Sequence, residues 1–336
     1  MKFKLGIVIA LVCFITSCNS AKKEGKVSKE VSIEKSSVKF TYQNITGVGV
    51  DTIYNRRDNS DVIKVDGTYY MWYTRMDSPV TSGYWGTIWY ATSQDEGFTW
   101  QEQGMAIDLG KEGAFDSHSV FTPNILVHNS KYYLYYTGVK PTPGNKKKEF
   151  EGNSTTDITA IGLAVSDSPN GPFVRVENNP VLEISTVASD FDSFRIDDAS
   201  LLVRDDKIWL FYKGRSIIDG RKGPSRTKMS VAYADKPDGP FKKHKGYLLD
   251  KSHEVLIWQK DGGVASLASI NATINYAKDG EHYTVLQNNL KKIPKAPGLY
   301  RPHLEKGNPK TEIPGWGISM IQKKGFAYLV RFEMKE

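Results

Sequence analysis

Tyr69-Tyr70-Met71-Trp72-Tyr73-Thr74 is the stretch that decides the fold, because it recurs. Near-copies stand at Tyr132-Tyr133-Leu134-Tyr135-Tyr136-Thr137 and at Ile208-Trp209-Leu210-Phe211-Tyr212-Lys213. Each is a strand-length run of aromatic and aliphatic residues behind a polar turn: Asp66-Gly67, Asn129-Ser130 or Asp205-Asp206. That is strand composition bounded by turn chemistry. A second unit follows each run. It reads Tyr90-Ala91-Thr92-Ser93 with Gly97-Phe98, then Ala164-Val165-Ser166-Asp167 with Gly171-Pro172-Phe173, then Ala232-Tyr233-Ala234-Asp235 with Gly239-Pro240-Phe241. Tyr276-Ala277-Lys278-Asp279-Gly280 is a weaker copy. After position 40 no run of ten or more residues shows helical periodicity.

An all-β chain whose unit returns every ~60–75 residues predicts a β-propeller. Counting units places five blades, at 55–100, 116–175, 192–243, 253–286 and 297–332, the last closing the ring. A β-sandwich is the alternative, but it needs no such repeat. The five-bladed β-propeller domain is expected over 41–336. The insertion at 141–157, with Lys146, Lys147 and Lys148, reads as a solvated loop.

The composition agrees. The chain has 336 residues, 25% charged and 39% apolar, which excludes a disordered, collagenous or disulfide-scaffold protein. Aromatics reach 12%, with 18 Tyr and 7 Trp, which favours β-structure or a sugar-stacking cleft over a helical bundle. The net charge of +7 acts mainly on encounter and non-specific binding. No basic motif points to nucleic acid.

The first residues read as an export signal. Lys2 and Lys4 precede an apolar run at 5–15 that is too short to remain as a membrane anchor. Ile15-Thr16-Ser17-Cys18 then resembles a lipoprotein cleavage site, implying a signal peptide over 1–17 and a lipidated Cys18. An ordinary secretory signal is the alternative. Residues 18–40, rich in Lys, Ser and Glu, read as a flexible tether. No acidic block follows Cys18, so a periplasm-facing anchor is expected, in the outer membrane. Cys13 would leave with the signal, so the mature chain is expected to hold no disulfide and no thiol nucleophile.

Polar residues that start successive blades converge at one mouth of a propeller's central channel. Four segments fit: Arg56-Arg57-Asp58-Asn59-Ser60 before strand 62–65, Asp116-Ser117-His118-Ser119 at the second blade, Arg195-Ile196-Asp197-Asp198-Ala199-Ser200 before strand 201–203, and Ser252-His253-Glu254-Val255 before strand 256–258. Carboxylates around a channel suit glycoside hydrolysis, where a base activates water on one face of the sugar and an acid protonates the leaving oxygen on the other. A third carboxylate raises the acid's pKa or orients the ring. His253 is a further acid candidate, since imidazole titrates near neutrality. Strand alternation points His253 and Glu254 to opposite faces unless the backbone is irregular. Of Asp197 and Asp198, one is expected to face the channel and the other to make a turn bond.

At this point the sequence resembles glycoside hydrolase family 117, the five-bladed α-1,3-(3,6-anhydro)-L-galactosidases of agar breakdown. The resemblance is carried by Arg56-Arg57-Asp58-x-Ser60, Trp89-Tyr90-Ala91-Thr92-Ser93, Ser119-Val120-Phe121-Thr122-Pro123, Asp198 with its strand, His253-Glu254-Val255 and Gly298-Leu299-Tyr300-Arg301-Pro302-His303. It implies an inverting exo-hydrolase releasing 3,6-anhydro-L-galactose from the non-reducing end of agar-derived oligosaccharides. It implies Asp58 as general base, Asp198 as transition-state stabiliser or pKa tuner, His253 as general acid and Glu254 as a holder of sugar hydroxyls. Arg57, Trp89, Asp116, Thr122 and His303 are the expected substrate-binding residues. The family is associated with a divalent cation near the channel, though no metal-ligand spacing here shows one and no cofactor is required by the chemistry. Asn59, Asp197 and Ala199 depart from the family's pattern, which points to a divergent branch and a related galactose-type sugar. Residues 19–46 lack the apolar helical stripe through which family members exchange segments, so monomer and dimer both stay open.

The rival readings are an arabinan- or xylan-active hydrolase like family 43, a family 130-like mannoside phosphorylase, and a non-catalytic sugar-binding lipoprotein. A phosphorylase needs one carboxylic acid and several basic groups, so the second Asp and the Glu speak against it.

Overall fold

The computed structural model describes residues 38–76, 86–140, 158–253, 255–302, 315–323 and 325–335. The expected signal peptide, Cys18, all but the last residues of the expected tether, the 141–157 insertion, Glu254 and His303 lie outside the described residues.

The chain folds into a five-bladed β-propeller. The first blade is built from β2 (Asn55–Arg57) and β3 (Ile63–Val65), both paired with β4 (Thr68–Met76), then β5 (Thr87–Ser93) and β6 (Gln101–Ile107). The second runs β7 (Ser119–His128), β8 (Lys131–Lys140), β9 (Ile158–Ser166) and β10 (Val174–Arg175). The third runs β11 (Arg195–Arg204), β12 (Lys207–Arg215), β13 (Lys228–Ala234) and β14 (Lys242–Lys243), with β15 (Leu249–Asp250) also on β13. A 3-10 turn, Ile217–Arg226, links β12 to β13. The fourth runs β16 (Leu256–Lys260), β17 (Gly263–Ala268), β18 (Thr273–Ala277) and β19 (Thr284–Gln287). The fifth runs β20 (Lys295–Leu299), β21 (Trp316–Lys323) and β22 (Phe326–Lys335).

The fifth blade's outermost strand comes from the other end of the chain. β1 (Lys39–Asn44) pairs antiparallel with β22, from Lys39 opposite Lys335 to Asn44 opposite Val330. Two residues expected in the tether therefore begin a strand. The same seam is tied at the axis. The Leu299 amide donates to Asp61 Oδ1 at 2.7 Å, and Arg301 Nε donates to Asp61 Oδ2 at 2.8 Å. Gly298 makes this approach possible, because a Cβ there would stand 1.8 Å from the Ser60 carbonyl oxygen.

The three quoted aromatic runs are β4, β8 and β12, the second strand of each blade. They are aromatic almost throughout because each sheet is covered on both faces, so neither parity of the strand meets water. Met71 and Tyr73 pack into the wedge shared with the fifth blade, while Tyr70 and Trp72 pack toward the second. Likewise Leu210 and Tyr212 face the second blade, and Trp209 and Phe211 face the fourth. The core is thus five wedges between neighbouring blades, each closed only when both blades are present.

Candidate active site

The inner strands do not run straight to the channel mouth. Their ladders break between Phe121 and Asn124, between Asp197 and Ser200, and between Lys295 and Gly298. In the first blade a longer gap, 58–62, separates β2 from β3. At each break one residue is left-handed: Asp58 (φ 48°), Thr122 (φ 45°), Asp198 (φ 56°) and Ala296 (φ 42°). Such a residue costs roughly 1–3 kcal/mol and persists only where its surroundings hold it. Asp tolerates the conformation through its short polar side chain. Thr122 is held by hydrogen bonds, its amide donating to Thr74 Oγ1 at 3.1 Å and its hydroxyl lying 2.6 Å from Thr137 Oγ1. With Val255 from the fourth blade, the pairs Asp58-Asn59, Thr122-Pro123, Asp198-Ala199 and Ala296-Pro297 meet around one narrow space on the axis.

Above that ring lies a cavity of about 400 Å³. Arg57, Asp58, Thr122, Asp198 and His253 all line it, from four elements far apart in sequence. Asp197 lines it too. The expected split between a channel-facing Asp and a turn-making Asp is therefore replaced by two cavity carboxylates. The left-handed break at Asp198 suspends the strict alternation that would have turned one of them away. Asp197 and Asp198 sit within β11 rather than ahead of a strand starting at 201.

The carboxylates are held by cations. Arg57 Nε donates to Asp58 Oδ2 at 2.8 Å, both side chains buried. Arg195 Nε donates to Asp197 Oδ2 at 2.6 Å. Lys213 Nζ lies 3.2 Å from Asp197 Oδ1 and 2.6 Å from Asp198 Oδ2. Burial raises Asp197, but Lys213, Arg195 and Arg215 outweigh it and hold its carboxyl well below the usual range. Asp198 goes the other way. Burial pushes it up to about 6, with the charges of Asp197 and Asp58 adding to the rise and Lys213 opposing it.

His253 faces the same cations. Lys213, burial and Arg215 together drive its imidazole down to about 2, so the ring is neutral at any physiological pH. Its Nδ1 lies 3.4 Å from Thr227 Oγ1. A neutral imidazole has no readily released proton, which counts against the acid role the family resemblance implies for His253.

Two other expected sugar contacts stand elsewhere. Asp116 is buried behind β8, accepting from Tyr136 Oη at 2.8 Å and Arg175 Nε at 2.7 Å. Trp89 lies on β5, its Nε1 donating to Thr87 Oγ1 at 2.9 Å and its ring 3.6 Å from the Arg75 guanidinium. Neither lines the cavity.

Sequence reasoning missed Lys213 and the opposite wall. Lys213 had a visible signal, since it ends the third repeat where the other copies have Thr74 and Thr137. The wall comes from the fourth and fifth blades and mixes Ile270, Ile293, Pro294, Ala296 and Met320 with Ser269, Lys295 and Gln322. Ile270, Ile293 and Pro294 lie between strands, Ala296 in β20 and Met320 within β21, with no shared motif. Among the described residues no group of three or more His, Cys, Asp or Glu is placed to hold a metal ion. Among them, too, no helix is long and apolar enough to cross a membrane.

Residues 52–223 match the family model described as glycosyl hydrolases family 43. Among solved structures, the chain is similar to Zg3597, a family 117 glycoside hydrolase produced by the marine bacterium Zobellia galactanivorans. Identity is 28%, the TM-score is 0.75, and the match covers 88% of this chain and 90% of that one. A thermostable family-43 glycoside hydrolase matches at 16% identity and TM-score 0.54, covering 87% of this chain and 92% of that one. A GH43_1 enzyme from Xanthomonas citri matches at 14% and 0.54, covering 87% and 91%. The last two share the fold. No curated protein matches the chain by sequence.

Proposed function

Because the chain belongs to the glycosyl hydrolases of family 43, and resembles a family 117 enzyme along nearly its whole length, we propose that it is an exo-acting, inverting hydrolase releasing 3,6-anhydro-L-galactose, or a related galactose-type sugar, from the non-reducing end of agar-derived oligosaccharides. That it is a glycoside hydrolase follows from the family. The linkage is our reading.

The observation that carries it is the two-sided cavity. One wall is ionic, with Arg57, Asp58, Asp197, Asp198 and Lys213, and the other is mixed, its apolar residues Ile270, Ile293, Pro294, Ala296 and Met320 interspersed with Ser269, Lys295 and Gln322. A sugar whose C6 hydroxyl is tied into an ether bridge presents one face without a donor, which suits the apolar part of this wall, while Ser269, Lys295 and Gln322 can meet the remaining sugar oxygens. A volume of about 400 Å³ stands near the small end of ligand pockets and suits a terminal unit rather than a long chain.

In this reading Asp58 takes a proton from water as the water oxygen attacks the anomeric carbon. The glycosidic C–O bond breaks, and an acid gives its proton to the departing oxygen. The cations around His253 disfavour its protonated form, which argues against it as that acid. The role passes to Glu254, which precedes Val255 in sequence as Asp58 precedes Asn59 and Asp198 precedes Ala199. Asp198 tunes the pair and, when ionised, stabilises the positive charge that develops on the ring. Incubating the chain from Val38 onward with neoagarobiose, neocarrabiose and arabino-oligosaccharides, and following the anomers by NMR, tests all of this. Release of anhydro-L-galactose with inverted configuration is expected. Cleavage of the arabino-oligosaccharides alone would favour the second reading, a pentosan hydrolase, which family 43 membership supports. Loss of turnover in Glu254→Gln but not in His253→Gln is the expected mark of the acid.

The reading places the enzyme in the cell envelope, anchored through lipid on Cys18. Labelling with a radioactive or alkynyl fatty acid, lost in Cys18→Ser, is the test.

A further inference from the structure

We propose that a groove on the outer part of the third blade is a second carbohydrate-binding site, built for a neutral oligosaccharide chain. Its volume is about 910 Å³, and it shares no lining residue with the catalytic cavity. Its walls come from 180–186, from 189–192 ahead of β11, from the turn after β12, and from 244–247 between β14 and β15.

The groove has a fixed aromatic platform. Phe191 lies so close over β12 that a Cβ on Gly214 would stand 2.5 Å from its ring. Phe191 stacks on Tyr212 with centroids 6.0 Å apart and meets Tyr247 edge-on at 6.2 Å. Tyr247 remains 49% exposed, with Lys228 Nζ 4.4 Å from its centroid. A half-exposed ring held in place by its neighbours suits the C–H face of a pyranose, because stacking then costs little side-chain entropy.

The polar groups around it choose the ligand class. The lining carboxylates are Glu183, Asp190, Asp192 and Asp219, and the lining ammonium groups are Lys228, Lys243 and Lys245. Most of these charges are already satisfied. Lys243 bonds Asp192 at 2.6 Å, Lys228 bonds Asp250 at 2.6 Å, and Asp219 pairs with Arg226 at 3.1 Å. A groove with no surplus of positive charge offers little to a sulfate or a uronate. Paired carboxylates keep lone pairs for sugar hydroxyls, and ammonium groups keep protons for ring and hydroxyl oxygens.

The groove backs onto the catalytic cavity through the chain itself. Ser216 lines the groove, while Arg215 beside it carries one of the charges that keep His253 neutral. Lys228 lines the groove, while Thr227 beside it lies against His253. A glycan held here is therefore kept close to the cavity, which raises its effective concentration without a tighter catalytic site. The ligand class rests on the glycoside hydrolase reading, but not on agar being the substrate.

The test uses Asp58→Asn, so that nothing is consumed, and titrates neutral agaro-hexasaccharide, arabinohexaose and a sulfated carrageenan hexasaccharide by NMR. Shifts at Tyr247 with a neutral hexasaccharide are expected. Added Tyr247→Ala should weaken that binding about tenfold, the size of one lost stacking contact. Tyr247→Phe should keep it, which guards against a folding defect. With Asp58 intact, Tyr247→Ala should raise KM on long substrates while leaving turnover of a disaccharide within about twofold. Absence of any shift at Tyr247 with all three glycans overturns the proposal. So does tighter Tyr247-dependent binding of the sulfated glycan than of either neutral one. Groove binding without hydrolysis of agar oligosaccharides would leave the groove standing and sink the agar reading alone.

Discussion

Lys213 Nζ lies 2.6 Å from Asp198 Oδ2, and that one contact ties together the cavity charges of the third blade. The same ammonium reaches Asp197 at 3.2 Å and is the largest influence holding His253 neutral. Replacing it by Met should lift both Asp198 and His253, because Lys213 lowers each. The activity limb set by Asp198 should then move to higher pH. The fold should lose roughly 3–5 kcal/mol, since a buried carboxylate loses a partner. Paired pH–rate profiles and urea melts check both. An unmoved profile would mean that Asp198 does not govern activity.

Asp58→Asn keeps the shape of the side chain beside Arg57 but cannot take a proton from water. Turnover should fall by about 10²–10⁴, the range of a lost general base, with substrate binding within a few-fold of the parent. Turnover together with calorimetric binding is the check. Asp58→Ala is a poorer choice, because it removes the oxygen that accepts from Arg57 Nε, which the amide of Asn keeps.

Asp198 sits at about 6, above its ordinary value of 3.8. A carboxyl raised on folding contributes stability while protonated, below its unfolded pKa, and loses it as pH rises through the folded value. The chain should therefore lose stability from about pH 4 to pH 7 through this residue, as activity gains an acidic limb near 6. Asp198→Asn should remove both effects. It should raise Tm at pH 8, by the equivalent of roughly 1–3 kcal/mol, while abolishing most activity. Scanning calorimetry across pH decides it, and a variant that melts lower at pH 8 would refute the assignment.

Ile270 lies 39% exposed in the apolar part of the cavity wall. Ile270→Asn should weaken kcat/KM for an anhydro-sugar by roughly 10–200-fold, the range of a small change in apolar fit, and affect a 6-hydroxylated galactoside less. Equal losses on both would show that the wall does not read the sugar face.

Phe40 on β1 is buried against Phe332 on β22, ring centroids 6.4 Å apart. Phe40→Ala should cost about 3–5 kcal/mol, far more than a residue at a chain end ordinarily would, because it loosens the strand that closes the ring. A denaturant melt measures it. A cost below about 1 kcal/mol would mean that the ring closes without β1.

The sequence by itself determined the architecture. Tyr69 to Thr74 and its two copies are strands covered on both faces, and their spacing leaves room for four strands per blade. Local composition carries that information, since burial on both faces demands apolar residues at both parities. The sequence also brought forward Asp58, Thr122, Asp198 and His253 as a group. What it could not supply was direction. Period-two alternation sends Asp197 and Asp198 to opposite faces, yet both line the cavity, because Asp198 is left-handed and the ladder of β11 breaks around it. Nor could it give the charge on His253, which depends on Lys213 and Arg215 arriving from β12. Asp116 and Trp89 looked like site residues in their motifs, but Arg175 with Tyr136, and Arg75 with Thr87, hold them elsewhere. A residue's type and local pattern are fixed along the chain. Its protonation state and its neighbours are set by groups that only the closed ring brings together.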